Sequence, residues 1–295
     1  MTVVPVEPTP QLRPTRARGL WRGRLFYAFL VVSLAIGIVT LGTLLAQVVV
    51  KGVEWVDLVL LLEPPSADPL IAGAEPAILA TIYLGVLVIL FSVPIGVGTA
   101  IYLEEYANRE RWYNRLLEVN IQNLAGVPSI VYGILGLAFL VRGLGLGRVL
   151  LAGAMILTLL VLPTVIIAAR EAIRAVPYSI RQGAYALGAT KWQVVWRQVL
   201  PAAIPGIATG SILALSRALG ETAPLLLVGA LTYVAFNPTL LGDFTALPVQ
   251  IFQWIQRPQE DFRTLAAAGI IVLLVILLTL NAFAIWIRNR YQRKW

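Results

Sequence analysis

Of 295 residues, 59% are hydrophobic and only 13% are charged, against about 25% charged in an average soluble domain. The chain has no cysteine and no histidine, which excludes disulfides, thiolate nucleophiles, most zinc sites and the commonest general base. The net charge of +8 comes from basic residues at the ends of apolar runs, the pattern of membrane topology and not of nucleic-acid binding.

A spanning helix needs about 20 apolar residues. Six stretches meet this: 25–50, 77–103, 124–141, 149–169, 204–234 and 265–287. They predict an all-α membrane protein with about six transmembrane helices in the lipid bilayer. Residues 1–24, rich in proline and arginine, read as a disordered tail. The first run, at about 25 residues, is too long for a cleaved signal, and no small-x-small site closes it. It is expected to remain as an anchor. Residues 51–75 carry five acids and three prolines and are too few for a domain. Gly126 and Pro128 open the third run, which predicts a helix that is tilted, kinked or only partly spanning. Arg170 and Glu171, at the end of the fourth, read as interface anchors or, alternatively, as guards of an exit.

The connection 170–203 is the most informative. Ser179-x-x-Gln182 and Thr190-x-x-Gln193 both have the form of a capping box. Pro177 precedes the first, Gly188 separates the two, Pro201 lies near the end of the second helix and Pro205 opens the fifth run. Trp192, Val195, Trp196 and Val199 are expected on one face, Gln193 and Arg197 on another. The pattern predicts a helix–turn–helix. One reading is an amphipathic hairpin on the membrane surface with no partner. The other is a docking element: Gly183, Ala184, Ala186, Gly188 and Ala189 make a low-relief surface, flanked by Tyr185 and Leu187, that suits a groove on another protein.

The fifth run contains Ser216, Arg217, Glu221 and Thr222. Arg217 and Glu221 are four apart and share a helix face. A charge at the bilayer centre costs about 2.5–3.5 kcal/mol on insertion scales, so the two must pair or face water. An internal salt bridge is one reading. A substrate pathway is the other, since the planar guanidinium matches phosphate or carboxylate oxygens through two parallel bonds. Glu221 would balance Arg217 in the empty site, or accept the hydrogen of a protonated phosphate. Ser129 and Tyr132 of the third run are further pathway candidates, with helix packing as the alternative. Gly206-x-x-x-Gly210 predicts close helix approach. In 235–263, Trp254 and Phe252 are expected at the interface, as are Trp21, Trp112, Trp286 and Trp295 near span ends. Residues 288–295 form a basic tail.

Lysine and arginine set the orientation. The two tails and the second-to-third and fourth-to-fifth connections together hold 17, and the alternate side holds five, Lys51, Arg142, Arg148, Arg257 and Arg263. Both termini are therefore expected in the cytoplasm, with 25–287 as the transmembrane permease domain.

Gln182-Gly183-Ala184, then Gly188, then Gln198-Val199-Leu200-Pro201 resembles the cytoplasmic motif of importer-type ABC permeases, with its spacing intact and Gln182, Gly183 and Gln198 as departures. Arg217-Ala218-Leu219-Gly220-Glu221-Thr222-Ala223-Pro224 resembles the signature of PstA-type phosphate permease subunits more closely than that of the PstC type. Residues 126–133 and 170–177 fit the same family. The resemblance implies a type I importer fold in the inner membrane of a bacterium. It also implies that 170–203 is a coupling segment, with Gln182, Gly183, Ala184, Tyr185, Leu187, Gly188, Thr190 and Lys191 facing the ATPase, and that Arg217, Glu221, Ser216, Thr222, Ser129 and Tyr132 line the substrate path. The implied partners are a PstC-type permease in a heterodimer, two PstB-type ATPases and a PstS-type phosphate-binding protein. No Gly-x-x-x-x-Gly-Lys-Ser/Thr loop occurs, so ATP and Mg are expected on the partner, and the chain itself is expected to be non-catalytic with no cofactor. The rivals are an importer of another oxyanion, such as sulfate, molybdate or phosphonate, and an ion-coupled secondary transporter with Glu221 as proton carrier. An intramembrane enzyme would need a second polar catalytic group, for which the spans offer hydroxyls and scattered amides.

Overall fold

In so apolar a chain, proline and glycine mark several of the helix ends, because proline lacks an N–H and has a fixed φ, while glycine, without a Cβ, tolerates the turns that stop a helix. The computed structural model describes residues 20–108, 110–228 and 234–291, and among these all regular structure is helical. The expectations for residues 1–19, for Arg109 and for Arg293, Lys294 and Trp295 lie outside the described residues. The chain divides into two units, 1–47 and 48–295. Helix α1 (Leu20–Gly52) fills the described part of the first as one uninterrupted helix with exposed apolar side chains.

The second unit takes in the last turn of α1 and a 3-10 turn at Val53–Trp55, followed by α2 (Leu58–Leu62), capped where the Leu60 N–H donates to Asp57 Oδ1 at 2.8 Å. Helix α3 (Glu75–Ile101) continues through a π-helical turn to Tyr106. Helices α4 (Trp112–Ala125) and α5 (Ser129–Gly136), the latter extended by π-helical turns to Gly143, meet at 106°. The third apolar run is thus part of a sharply bent helix pair, with the bend where Gly126 and Pro128 interrupt the hydrogen-bond ladder. Helix α6 (Leu150–Arg174) starts with its Leu150 and Leu151 amides donating to the Gly242 and Leu240 carbonyls at 3.1 and 3.0 Å, which satisfies donors a helix start leaves open. Helices α7 (Tyr178–Ala186), α8 (Lys191–Val194), α9 (Leu200–Gly220), α10 (Ala223–Val228), α11 (Leu247–Gln256) and α12 (Glu260–Tyr291) complete the unit. Among the described residues five helices are long and apolar enough to cross a membrane, or six if the α4–α5 pair is one span.

Several expectations change. The fifth span is not 204–234 but Lys191–Gly220. The second helix of the hairpin and the span are continuous, because the π-helical turn at Val195–Val199 accommodates Pro201, whose ring removes an N–H from the ladder. Helix α7 opens on Pro177 with no side-chain cap, so Ser179 caps nothing there. Thr190 does form the expected box, its N–H donating to Gln193 Oε1 at 2.8 Å while Gln193 N–H donates back to Thr190 Oγ1 at 3.4 Å. Trp192 and Trp196 are exposed and stacked at 5.5 Å, whereas Val195 and Val199 are buried, so the four do not form one face. Trp254 is completely buried with Leu60, Leu247, Phe262 and Leu265 instead of lying at an interface, because 247–256 folds as a helix against α12. Phe252, Trp21, Trp112 and Trp286 are exposed.

Helices α3, α6 and α9 form the core, where Leu84, Val88, Ile156, Leu157, Val161, Ala214 and Ala218 are buried together. The Gly206/Gly210 pair works as its spacing predicts. A Cβ at Gly206 would fall 2.7 Å from the Ala172 Cβ, and one at Gly210 would collide with the Cβ of Ala168. Close packing of this kind stabilises helix pairs where the solvent is as apolar as the side chains. Gly210→Val should therefore lower stability by about 1–3 kcal/mol, read as a reduced thermal midpoint in detergent. An unchanged midpoint would mean that α6 and α9 do not meet through these glycines.

Candidate functional site

Arg217 occupies the last turn of α9, where the helix's free carbonyls favour a cation. The helix stops at Gly220, and Glu221 follows in extended conformation (φ −78°, ψ 120°) before α10 begins at Ala223. Arg217 and Glu221 are therefore not neighbours on one helix face; the chain turns away between them. Their closest approach is 3.5 Å, from Nε to Oε1, with the Arg217 side chain 50% exposed and Glu221 21%. A long, exposed pair of this kind contributes little, and the guanidinium keeps most of its donors free for an anion.

The residues grouped with Arg217 fall into different settings. Thr222 is half-buried in the break, its carbonyl accepting from the Leu226 N–H at 3.0 Å. Ser216 Oγ lies 2.7 Å from Asn281 Oδ1 of α12 and 3.0 Å from the Ile212 carbonyl, so it ties α9 to α12. Arg288 adds a second tie, donating to Thr209 Oγ1 at 3.2 Å. Ser129 opens α5, half-buried. Tyr132 is buried, and its hydroxyl donates to the Leu124 carbonyl at 2.8 Å, across the α4–α5 bend. Neither Asn281 nor the Tyr132–Leu124 bond was expected from sequence; a lone asparagine in an apolar run was the available signal for the first.

The 170–203 connection is a helical hairpin whose turn requires glycine. Gly188 has φ +76°, a left-handed conformation that side chains disfavour. The Ala189 N–H donates to the Ala184 carbonyl at 3.1 Å and the Gly188 N–H to Tyr185 at 2.9 Å, the bond pair that closes a helix end on a left-handed residue. Around this turn Gln182, Gly183, Tyr185, Leu187, Gly188, Thr190 and Lys191 are exposed, Ala184 is half-buried, and Leu187 is 91% exposed. Desolvation and the nearby Glu105 carboxylate hold the Tyr185 phenol above its ordinary pKa. Lys191 lies over the Tyr106 ring at 4.9 Å.

Beneath the hairpin is a charge network that sequence reading did not assemble. Arg170, read as an interface anchor, is buried: its Nε donates to Glu104 at 2.9 Å and its Nη2 to Glu118 at 2.6 Å. Arg174 reaches Glu104 at 2.7 Å and Glu171 at 3.1 Å. Arg181 of α7 donates to Glu105 at 2.9 Å and caps the end of α6 by donating to the Ile173 and Val176 carbonyls at 2.9 and 2.6 Å. The cleft bounded by Glu104, Glu105, Arg174, Arg181, Tyr185 and Lys191 encloses about 500 Å³. Glu104, Glu105 and Glu118 lie 52 to 76 residues from the arginines they bind, beyond the reach of local patterning.

Residues 92–294 match the family described as the binding-protein-dependent transport system inner membrane component. Over 273 residues the chain is 32% identical to the phosphate transport system permease protein PstA of Yersinia pestis, covering 91% of this chain and 92% of that one. The chain belongs to this family of inner membrane components. Over 264 residues this family member is also 30% identical to the probable ABC transporter permease protein YqgI of Bacillus subtilis (strain 168), covering 85% of this chain and 90% of that one. Its fold matches that of a bacterial ABC transporter involved in the import of the acidic polysaccharide alginate, with a TM-score of 0.65 at 18% identity over 94% of this chain and 99% of that one. As an ABC permease subunit it is a multi-pass, non-catalytic membrane protein of the type I importer fold.

A side chain at Gly188 would strain the turn by about 1–2 kcal/mol. Gly188→Val should accelerate hydrogen exchange at the amides of 187–189 by roughly five- to thirtyfold. Unchanged exchange there would show that the hairpin does not depend on the left-handed turn.

Proposed function

We propose that this chain is the PstA-type membrane subunit of an ATP-driven importer of inorganic phosphate. Arg217 carries the reading: a half-exposed guanidinium, loosely paired, where a candidate span breaks off. Its fork offers parallel bonds to phosphate oxygens, and Glu221 beside it is placed to accept the hydrogen of a protonated phosphate. The 32% identity to a phosphate permease supports the choice of anion. The likeness to an alginate importer concerns the fold alone.

In this reading the chain supplies half of the path, and a PstC-type permease supplies the other. Two PstB-type ATPases bind ATP and Mg on the cytoplasmic side, where both termini also lie, and a PstS-type protein delivers phosphate from outside. ATP binding draws the ATPases together, and their grooves carry the exposed turn at Gly183–Gly188 with them. Because Lys191–Gly220 is one helix, displacement at the hairpin reaches Arg217 without an intervening joint.

Loss of a charged hydrogen-bond donor costs about 1.5–3 kcal/mol. In the reconstituted complex Arg217→Ala should cut phosphate uptake roughly ten- to a hundredfold while assembly persists, and phosphate should compete with labelled phosphate far better than sulfate does. Normal uptake by the variant would refute the site; equal competition by sulfate would refute the anion.

A further inference from the structure

The carboxylates at the end of α3 have no part in the proposed anion path, yet they link the hairpin to a helix on its far side. Arg181 of α7 holds Glu105, with side chains 11% and 8% exposed. The adjacent Glu104 is held by Arg170 of α6, and the other arm of Arg170 holds Glu118 of α4 at 2.6 Å. Helix α4 does not end there mechanically. The Tyr132 hydroxyl bonds its last-turn carbonyl at Leu124, which ties α5 across the 106° bend. Helix α5 in turn abuts α10: a Cβ at Gly133 would lie 2.7 Å from the Pro224 Cα, three residues after Glu221.

The geometry points to a second line of transmission, in which Arg170 and Glu118 are positioning residues that make α4–α5 follow the hairpin and bring the α10 wall beside Glu221 with it. This rests on the importer reading above. Helix α9 carries Arg217 directly, but the non-helical link at Glu221–Thr222 separates it from α10, so a rigid drive on that wall has to come by another route. The charge chain supplies that drive. Separating Arg170 from its carboxylates would leave buried charge uncompensated, which costs more than moving the helices together. The bond from Arg170 to Glu118 is the joint to test, because the Glu118 side chain is 38% exposed and the amide that replaces it keeps its size.

The test uses the complete transporter in proteoliposomes, with phosphate uptake and ATP hydrolysis measured on the same sample. Glu118→Gln should assemble and hydrolyse ATP but transport roughly two- to thirtyfold less phosphate per ATP. Glu105→Gln, at the hairpin end of the same line, should show a loss of the same kind, and the double variant should be no worse than the poorer single one. An unchanged ratio of phosphate to ATP in Glu118→Gln, or losses that multiply in the double variant, would overturn the proposal. So would failure of Glu118→Gln to assemble, which would make the carboxylate a folding element. Absence of phosphate uptake by the unaltered complex would instead count against the importer reading.

Discussion

A charge placed within an apolar helical bundle must be paired or reach water, and this chain resolves that constraint in opposite ways at its two informative sites. At the C-terminal ends of α3 and α6 the arginines are saturated. Arg170 is buried between two carboxylates, and Arg181 is spent on Glu105 and the carbonyls that end α6. At the end of α9 the arginine is left open, half exposed and 3.5 Å from its carboxylate. Saturated pairs hold helices together. An open cation in the last turn of a span is what the proposed anion path requires.

The two sites are joined by a helix. The hairpin's second limb passes through its π-helical turn into α9 without a break, so the helix that starts at Lys191, just after the exposed turn at Gly188, is the one that carries the open cation at Arg217. Close packing through Gly206 and Gly210 holds that element against α6, and Ser216 and Thr209 tie its other side to α12. What the hairpin meets therefore bears on the surroundings of Arg217.

Much of this was legible in the sequence because it is local. Apolar run lengths gave the spans, Gly126 and Pro128 announced the bend, Thr190 and Gln193 named a helix start, and Gly206-x-x-x-Gly210 named a packing seam. The differences have separate physical causes. Pro201 and Pro205 look like helix boundaries, but a π-helical turn absorbs the first and the helix carries the second. Gly220 was read as helix interior, although the helix ends there. Trp254 was assigned to an interface because its burial depends on Leu60 and Phe262, of which only the second is near in sequence. The network around Arg170 joins residues whose proximity only the tertiary fold creates.

In the proposed importer the Arg217 side chain points into the cavity between the two membrane halves. A density map of the assembled transporter with bound phosphate measures this. The expected result is the guanidinium lining the water-filled cavity between the halves, about 2.7–2.9 Å from a phosphate oxygen. A guanidinium enclosed by neighbouring helices, away from that cavity, would contradict it.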